Sequence, residues 1–292
     1  MKAKEKNKVI QTLSKATQLI SQPLMWNIYY WLLPKPKVKT PLVPNMKQIE
    51  ADLKEKDFNL QSLDINEKEF STYLEQAQYS KYPNYYSGGT SNGFISKAVQ
   101  HFLAAKLLNL SSSDIYLDVA SFNSPVSDIY QRLYGCKTYN QDLMFPEGIH
   151  GTTIGGDASA MPVADGFATK MALHCSLEHF EKDSDIRFMQ EANRVLRKGG
   201  KLCVVPLYLF QSYAILTNPL FAKRNTPFDR DAVIYSSKTW YNRHGRFYDA
   251  AHLVSRIREG NPLKMTIYVV NCDISSWKDQ LFAAVFEKEN WK

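Results

Sequence analysis

Cysteine is scarce in this chain of 292 residues. Cys136, Cys175, Cys203 and Cys272 stand far apart with no C-x-x-C pair, which excludes a disulfide framework and a cysteine zinc site and predicts a reducing, cytoplasmic setting. Neither G-x-G-x-x-G nor G-x-x-x-x-G-K-[ST] occurs, so a nicotinamide or nucleoside-triphosphate cradle is not expected. No serine stands in a nucleophile elbow that would begin a Ser-His-Asp arrangement. Long apolar runs are absent too. Near the start the longest is Pro23 to Leu33 (PLMWNIYYWLL), about half of what spans a bilayer, and no small-residue cleavage site follows it.

Positive charge is confined to one end. Residues 1–40 hold eight lysines (Lys2, Lys4, Lys6, Lys8, Lys15, Lys35, Lys37, Lys39) against Glu5, a net of +7, which is the formal charge of the whole chain. The other 252 residues carry 28 basic and 28 acidic side chains. Such a neutral body does not fit a nucleic-acid-binding domain, which needs its cations on the folded surface that meets the phosphates. Lysines followed by an aromatic apolar segment (Leu19 to Leu33) suit peripheral contact between residues 1–40 and an anionic membrane; a lid packed on the catalytic domain is the alternative.

At 44% hydrophobic and 22% charged, the composition is that of a globular chain with a large core. Pro34, Pro36, Pro41 and Pro44 mark a linker, so residues 1–47 form a basic, aromatic N-terminal segment. Residues 48–110 are expected to be a helical cap region: short helices from Ile49 to Tyr79, a Tyr/Gly/Asn-rich loop from Tyr79 to Gly93, and a helix from Phe94 to Leu110. From Asp114 onward, apolar runs alternate with amphipathic ones, the pattern of a largely parallel α/β sheet over 111–292. Strands are predicted at Ile115–Val119, Lys137–Gln141, Ala168–Leu173, Lys201–Pro206, Met265–Asn271 and Gln280–Phe286, with a short extra one before Asp157. Helices are predicted at Val126–Tyr134, Ser184–Leu196 and Asp249–Ile257, the second stopped by Arg197, Lys198, Gly199 and Gly200.

In such a sheet a ligand lies beyond the carboxyl ends of the strands where strand order reverses. Residues just after each strand are therefore the informative ones. Asp118 ends the first run (YLDVASFNSPVSD), and Asp142 ends the second (TYNQDL), a position suited to a carboxylate holding two ribose hydroxyls. Asp157 and Ala158 sit in a tight turn (GGDASAMP), and His174, Ser176, Glu178 and His179 follow the next strand (LHCSLEHF).

From Asp114 to Pro206 these motifs, together with EANRVLRKGGKLCVV, make the chain resemble a class I S-adenosylmethionine-dependent methyltransferase of the small-molecule type. The resemblance implies a Rossmann-like seven-stranded methyltransferase sheet with an N-terminal helical extension and a terminal hairpin. It further implies that Asp118 with the loop Ala120, Ser121 and Asn123 approaches the methionine part of S-adenosylmethionine, that Asp142 holds the ribose, and that Asp157 with the Ala158 N–H reads the adenine. His174 would line the methyl-transfer side and is the leading base for a hydroxyl acceptor, followed by His244. No metal is implied. Where the family has glycines after the first strand, this chain has Ala120 to Pro125. Asn123 is expected to take the tightest turn and Ser121 the close approach. Between Asp142 and Gly156 there is no room for the usual full helix.

Residues 207–262 exceed a simple crossover and are rich in Tyr, Phe, Asn and Arg, an insertion expected to build the acceptor pocket. The acceptor expected is a small molecule, a lipid-linked compound or a glycan, with no nucleic acid. The glycine-free loop motivates the alternative of a non-catalytic methyltransferase-like scaffold.

Overall fold

The computed structural model describes residues 28, 31, 37–38, 42–218, 220–222, 226–274 and 277–289. The aromatic segment Leu19 to Leu33 and the expected membrane contact fall almost wholly outside them. Among the described residues no helix is long and apolar enough to cross a membrane. The chain divides into a larger unit, Pro44–Gln211 with Tyr248–Lys292, and a smaller one, Met1–Val43 with Ser212–Phe247.

The larger unit is built on eight strands: β1 (Asn59–Asp64), β2 (Ile115–Val119), β3 (Lys137–His150), β4 (Thr153–Gly155), β5 (Ala168–His174), β6 (Leu196–Val205), β10 (Lys264–Ile274) and β11 (Trp277–Glu287). Their order is β1-β10-β11-β6-β5-β2-β3-β4. Pairing is parallel from β6 through β4 and between β1 and β10; β11 runs antiparallel to both its neighbours. The sheet thus has eight strands and not the expected seven. The addition is β1, in the stretch read as short helices. Its residues NLQSLD are mostly exposed, so no alternation of apolar and polar positions announces a strand.

Tyr116–Val119 of β2, Met171–Leu173 of β5 and Leu202–Val205 of β6 are continuously buried because both faces are covered there, as parallel strands require. Helices α1 (Met46–Glu55), α2 (Glu67–Ala77), α3 (Phe94–Leu108), α4 (Val126–Tyr134) and α5 (Ser184–Val195) accompany this sheet. Asn45 and Asn66 cap α1 and α2 by accepting from Gln48 N and Glu69 N. The segment Asp249–Ile257 is a four-residue α-turn, Ala250–Leu253, followed by a π-turn, Val254–Arg258.

Helix α5 ends at Val195, ahead of the glycine pair expected to stop it, and β6 begins at once. Gly200 serves the sheet instead: a Cβ there would lie 2.7 Å from the Arg197 carbonyl oxygen and 3.0 Å from that of Thr169. The Glu191–Arg194 part of the same motif also has a local purpose. Glu191 accepts from Met161 N at 2.6 Å, while Arg194 donates to Glu191, to Asp165 and to the carbonyls of Met161 and Val163. The pair pins residues 161–165, which follow the turn after β4.

The smaller unit carries a four-stranded sheet of Lys37–Val38, β8 (Val233–Ser236), β7 (Ala214–Thr217) and β9 (Gly245–Phe247), in that order. Arg246 is fully buried there against Asp229 Oδ2 (3.0 Å) and Tyr213 Oη (2.9 Å). His244, the second base candidate, is buried in this unit.

Candidate active site

Strand order reverses between β2 and β5, so the loops after those two strands face the switch point. A cavity of about 210 Å³ lies there, walled by Asp118 and residues 120–124 after β2, His174 to Ser176 after β5, Lys97 and His101 of α3, and Tyr85 and Tyr86. Six residues singled out from the sequence meet in it: Asp118, Ala120, Ser121, Asn123, His174 and Ser176.

The loop after β2 adopts the left-handed conformations that glycine would supply, without glycine. Ala120 (φ 53) and Phe122 (φ 47) take them, and Asn123 does not, contrary to expectation. Backbone hydrogen bonding fixes the shape: Ser121 N donates to the Gln141 carbonyl, Ala120 N to Gln141 Oε1, and Phe122 N to Asp142 Oδ2 at 2.8 Å. Because an L side chain in this region costs about 1–2 kcal/mol, Ala120→Gly should stabilise the fold by about 0.5–1 kcal/mol after glycine's greater chain entropy is subtracted. Urea denaturation checks this; Ser121→Gly, lacking that strain, should be destabilising.

Asp118 is 1% exposed. Tyr116 Oη donates to its Oδ1 at 3.4 Å, and Oδ2 has no hydrogen-bond partner. Burial pushes its carboxyl well above the usual range; the Tyr116 hydroxyl and Lys97 pull it down in part, and Asp142 adds to the rise. His174 is pushed down to about 3, by burial first and Lys97 second. Its Nε2 lies 3.7 Å from Asp118 Oδ1, a distance that makes an ion pair only if the ring is protonated, and both shifts favour two neutral groups. With the Tyr116 hydroxyl given to Asp118, His174 Nε2–H donates to Tyr116 Oη (3.2 Å), leaving Nδ1 as a bare acceptor. Nδ1 also has no partner, so two unpartnered buried polar atoms, Asp118 Oδ2 and His174 Nδ1, belong to the walls of one cavity.

Asp142 stands at the point where β3 turns away. Its oxygens accept from Phe122 N and Met144 N, both at 2.8 Å, which fixes the carboxylate between two loops. The helix that had no room is replaced by a hairpin: after Asp142↔Gly155 the chain loops out, and residues 147–150 return against β4, with Ile149 opposite Ile154 and His150 opposite Thr153. Leu143 and Met144 are exposed beside Asp142, as is Phe122. Asp157 is exposed and occupied locally, accepting from Ser159 N and Ser159 Oγ. Neither Asp157 nor Ala158 is part of the cavity wall.

Several residues of the site escape a reading of the sequence. Gln141 is buried and joins two loops, accepting from Ala120 N and donating to the Gly156 carbonyl at 2.6 Å. Its only signal is its place beside Asp142. Tyr85, Tyr86, Lys97 and His101 come from the Tyr-rich loop and α3, where a histidine within an apolar helix is the one visible hint. Cys175 (φ 53) donates to Gln100 Oε1 at 3.2 Å, and burial raises its pKa. Glu178, two residues beyond the cavity wall, is buried, with its pKa raised by burial. Among the described residues no cluster suits a metal ion.

A doubly wound sheet with carboxylates at the ends of two adjacent strands beside its switch point defines an α/β protein. Residues 89–204 match the family model described as a methyltransferase domain. No curated protein matches the chain. Among solved structures, the Burkholderia thailandensis 1,6-didemethyltoxoflavin-N1-methyltransferase, with bound 1,6-didemethyltoxoflavin and S-adenosylhomocysteine, is similar at 11% identity and a TM-score of 0.48, covering 77% of this chain and 92% of that one. A Methanosarcina mazei SAM-dependent methyltransferase is similar at 12% identity and TM-score 0.42 (62% and 95% covered). A Pyrococcus horikoshii protein is similar at 15% identity and TM-score 0.44 (72% and 98% covered).

Proposed function

We propose that this protein is an S-adenosylmethionine-dependent methyltransferase acting on a small-molecule or glycan acceptor. The observation that carries the reading is the buried Asp118 carboxyl, with one unpartnered oxygen, beside a loop held in glycine-type conformations by Gln141 and Asp142. These residues fit the cofactor. A ligand ammonium, whose charge would ionise the Asp118 carboxyl, finds two acceptors, Asp118 Oδ2 and His174 Nδ1; a ribose diol finds the remaining lone pairs of Asp142; an adenine finds apolar surface at Leu143 and Met144. When bound, the cofactor supplies an electrophilic methyl group on sulfur. The chain supplies position and exclusion of water, which account for much of the rate in such transfers. The neutral charge of residues 41–292 favours a small acceptor over a polyanion.

Calorimetric titration with S-adenosylhomocysteine tests the reading. Asp118→Asn and Asp142→Ala should each weaken binding about 10- to 100-fold, the worth of a charge-assisted hydrogen bond. No binding to the unaltered protein at about 1 mM ligand would favour the scaffold alternative.

Asp118→Asn has a second expected effect. A carboxyl whose pKa is raised by folding holds a proton that the unfolded chain releases, so its contribution is complete below the unfolded value near 4 and is lost as pH rises toward the folded value. The asparagine variant should therefore gain stability over the unaltered protein progressively as pH rises above about 4. Thermal melts across that range check it; a difference independent of pH counts against the assignment.

A further inference from the structure

Methyl transfer to an O–H or N–H group forms the new bond to carbon, returns the sulfur–carbon electron pair to sulfur, and leaves one proton to be removed. The cavity described above is walled by buried groups, and a line of hydrogen bonds leads out of it on the α3 side. Tyr85 Oη lies 3.3 Å from His101 Nε2, His101 Nδ1 lies 2.7 Å from Tyr79 Oη, and Tyr79 Oη lies 3.1 Å from Tyr73 Oη. Tyr85 and His101 belong to the cavity wall. Tyr73, at the other end, belongs to the wall of a second, open groove of about 640 Å³ beside α2 and α3, with Glu69, Thr72, Gln76 and Lys106.

We propose that Tyr85, His101, Tyr79 and Tyr73 form a proton-exit relay from the methyl-transfer cavity to this groove. The inference rests on the methyltransferase reading for what it serves, but the relay itself is a property of this chain's own side chains. One polarity satisfies every link: Tyr85 O–H donates to His101 Nε2, His101 Nδ1–H to Tyr79 Oη, and Tyr79 O–H to Tyr73 Oη. A proton arriving on Tyr85 Oη from the acceptor releases the Tyr85 proton to His101 Nε2. The Nδ1 proton then passes to Tyr79, the Tyr79 proton to Tyr73, and the Tyr73 proton to solvent. Each group ends with its original charge, with His101 now in the Nε2–H tautomer, and proton exchange at its two ring nitrogens returns it to the Nδ1–H form.

The chemistry of the members suits a neutral relay. Burial lowers His101 well below the usual histidine range, with His174 and Lys97 adding to the effect, so the ring is an uncharged donor and acceptor. Burial raises Tyr73, Tyr79 and Tyr85, so the phenols keep their protons. Both tyrosines bonded to His101 stack on its ring, at interplanar angles of 24° and 23°, while His174 meets it edge-on at 4.9 Å. A buried histidine serving packing alone needs neither a hydroxyl on each nitrogen nor a path between two cavities.

The test is ¹⁵N-histidine NMR on the full chain, measuring exchange of the His101 ring N–H with water. Tyr79→Phe and Tyr73→Phe, which break the line, should each slow that exchange by about fivefold to tenfold, the worth of one net hydrogen bond. Tyr130→Phe is the control. Its hydroxyl donates to the His101 carbonyl and is no link in the line, so exchange should be unchanged. Exchange unaffected by Tyr79→Phe, or slowed equally by Tyr130→Phe, overturns the relay. Adding S-adenosylhomocysteine separates the two readings: shifts of the His101 and His174 signals support the cavity as cofactor site, and their absence overturns that assignment while the exchange rates still judge the relay.

Discussion

Gly155→Ala should be among the most damaging single substitutions in this protein. A Cβ at that position would lie 1.9 Å from the Pro146 carbonyl oxygen, 2.4 Å from its carbon and 2.6 Å from the Phe145 carbonyl oxygen. All three are backbone atoms and cannot turn aside as a side chain would. Overpacking usually costs 1–3 kcal/mol, and with backbone on the opposing side the cost should reach about 3 kcal/mol or more, a fall of roughly 6–12 °C in Tm. Expelling residues 145–146 also disturbs Met144 N and with it the grip on Asp142, so affinity for S-adenosylhomocysteine should fall together with stability. Gly151→Ala in the same hairpin is the comparison. It has a positive φ (63°) but nothing within 4 Å, and should cost only about 1 kcal/mol of strain and leave binding unchanged.

Asp185→Ala should be comparably severe, for an electrostatic reason. Asp185 is fully buried in the first turn of α5, where the helix dipole favours its charge. Its Oδ2 accepts from Tyr248 Oη (2.7 Å) and Arg256 Nε (2.9 Å), and its Oδ1 from Arg256 Nη2 (2.7 Å). Breaking a buried pair by removing one member typically costs about 3–5 kcal/mol, because the other charge stays behind unpaired. Equilibrium denaturation should place Asp185→Ala in that range. The double variant Asp185→Ala, Arg256→Met should recover part of the loss, and a strictly additive result would show that the pair is not coupled.

Much of the central sheet was legible from residue type alone. Helix α4 and strand β2 lie at the predicted residues, since a short apolar run flanked by glycine, serine and aspartate leaves little choice. The carboxylates at the ends of β2 and β3 follow from the same pattern: Asp118 walls the cavity, and Asp142, outside that wall, holds its loop through Phe122 N. What stayed hidden depends on neighbours distant in sequence. β1 shows no periodicity because only its pairing with β10 makes it a strand. The left-handed backbone of Ala120 and Phe122 contradicts their intrinsic preference and is imposed by Gln141 and Asp142, about twenty residues away. Asp157, expected to read an adenine with the Ala158 N–H, also follows a strand, and its Oδ1 is engaged by the Ser159 turn. His101 and the tyrosines around it are scattered across thirty residues, and only the packing of α3 against the loop before it brings their hydroxyls to one ring.

The eighth strand has a consequence for how this protein meets other copies of itself. Without β1, the free edge of the sheet would be β10, whose KMTIYVVNCDI is rich in β-branched and aromatic residues and would present a row of unpaired backbone groups, the template on which chains join edge to edge. β1 takes up that row in register from Asn59 opposite Thr266 to Asp64 opposite Asn271 and offers in its place an edge of NLQSLD, short and polar. Six residues with little apolar surface to bury thus act as a hem on the sheet, closing off strand-to-strand association at that edge.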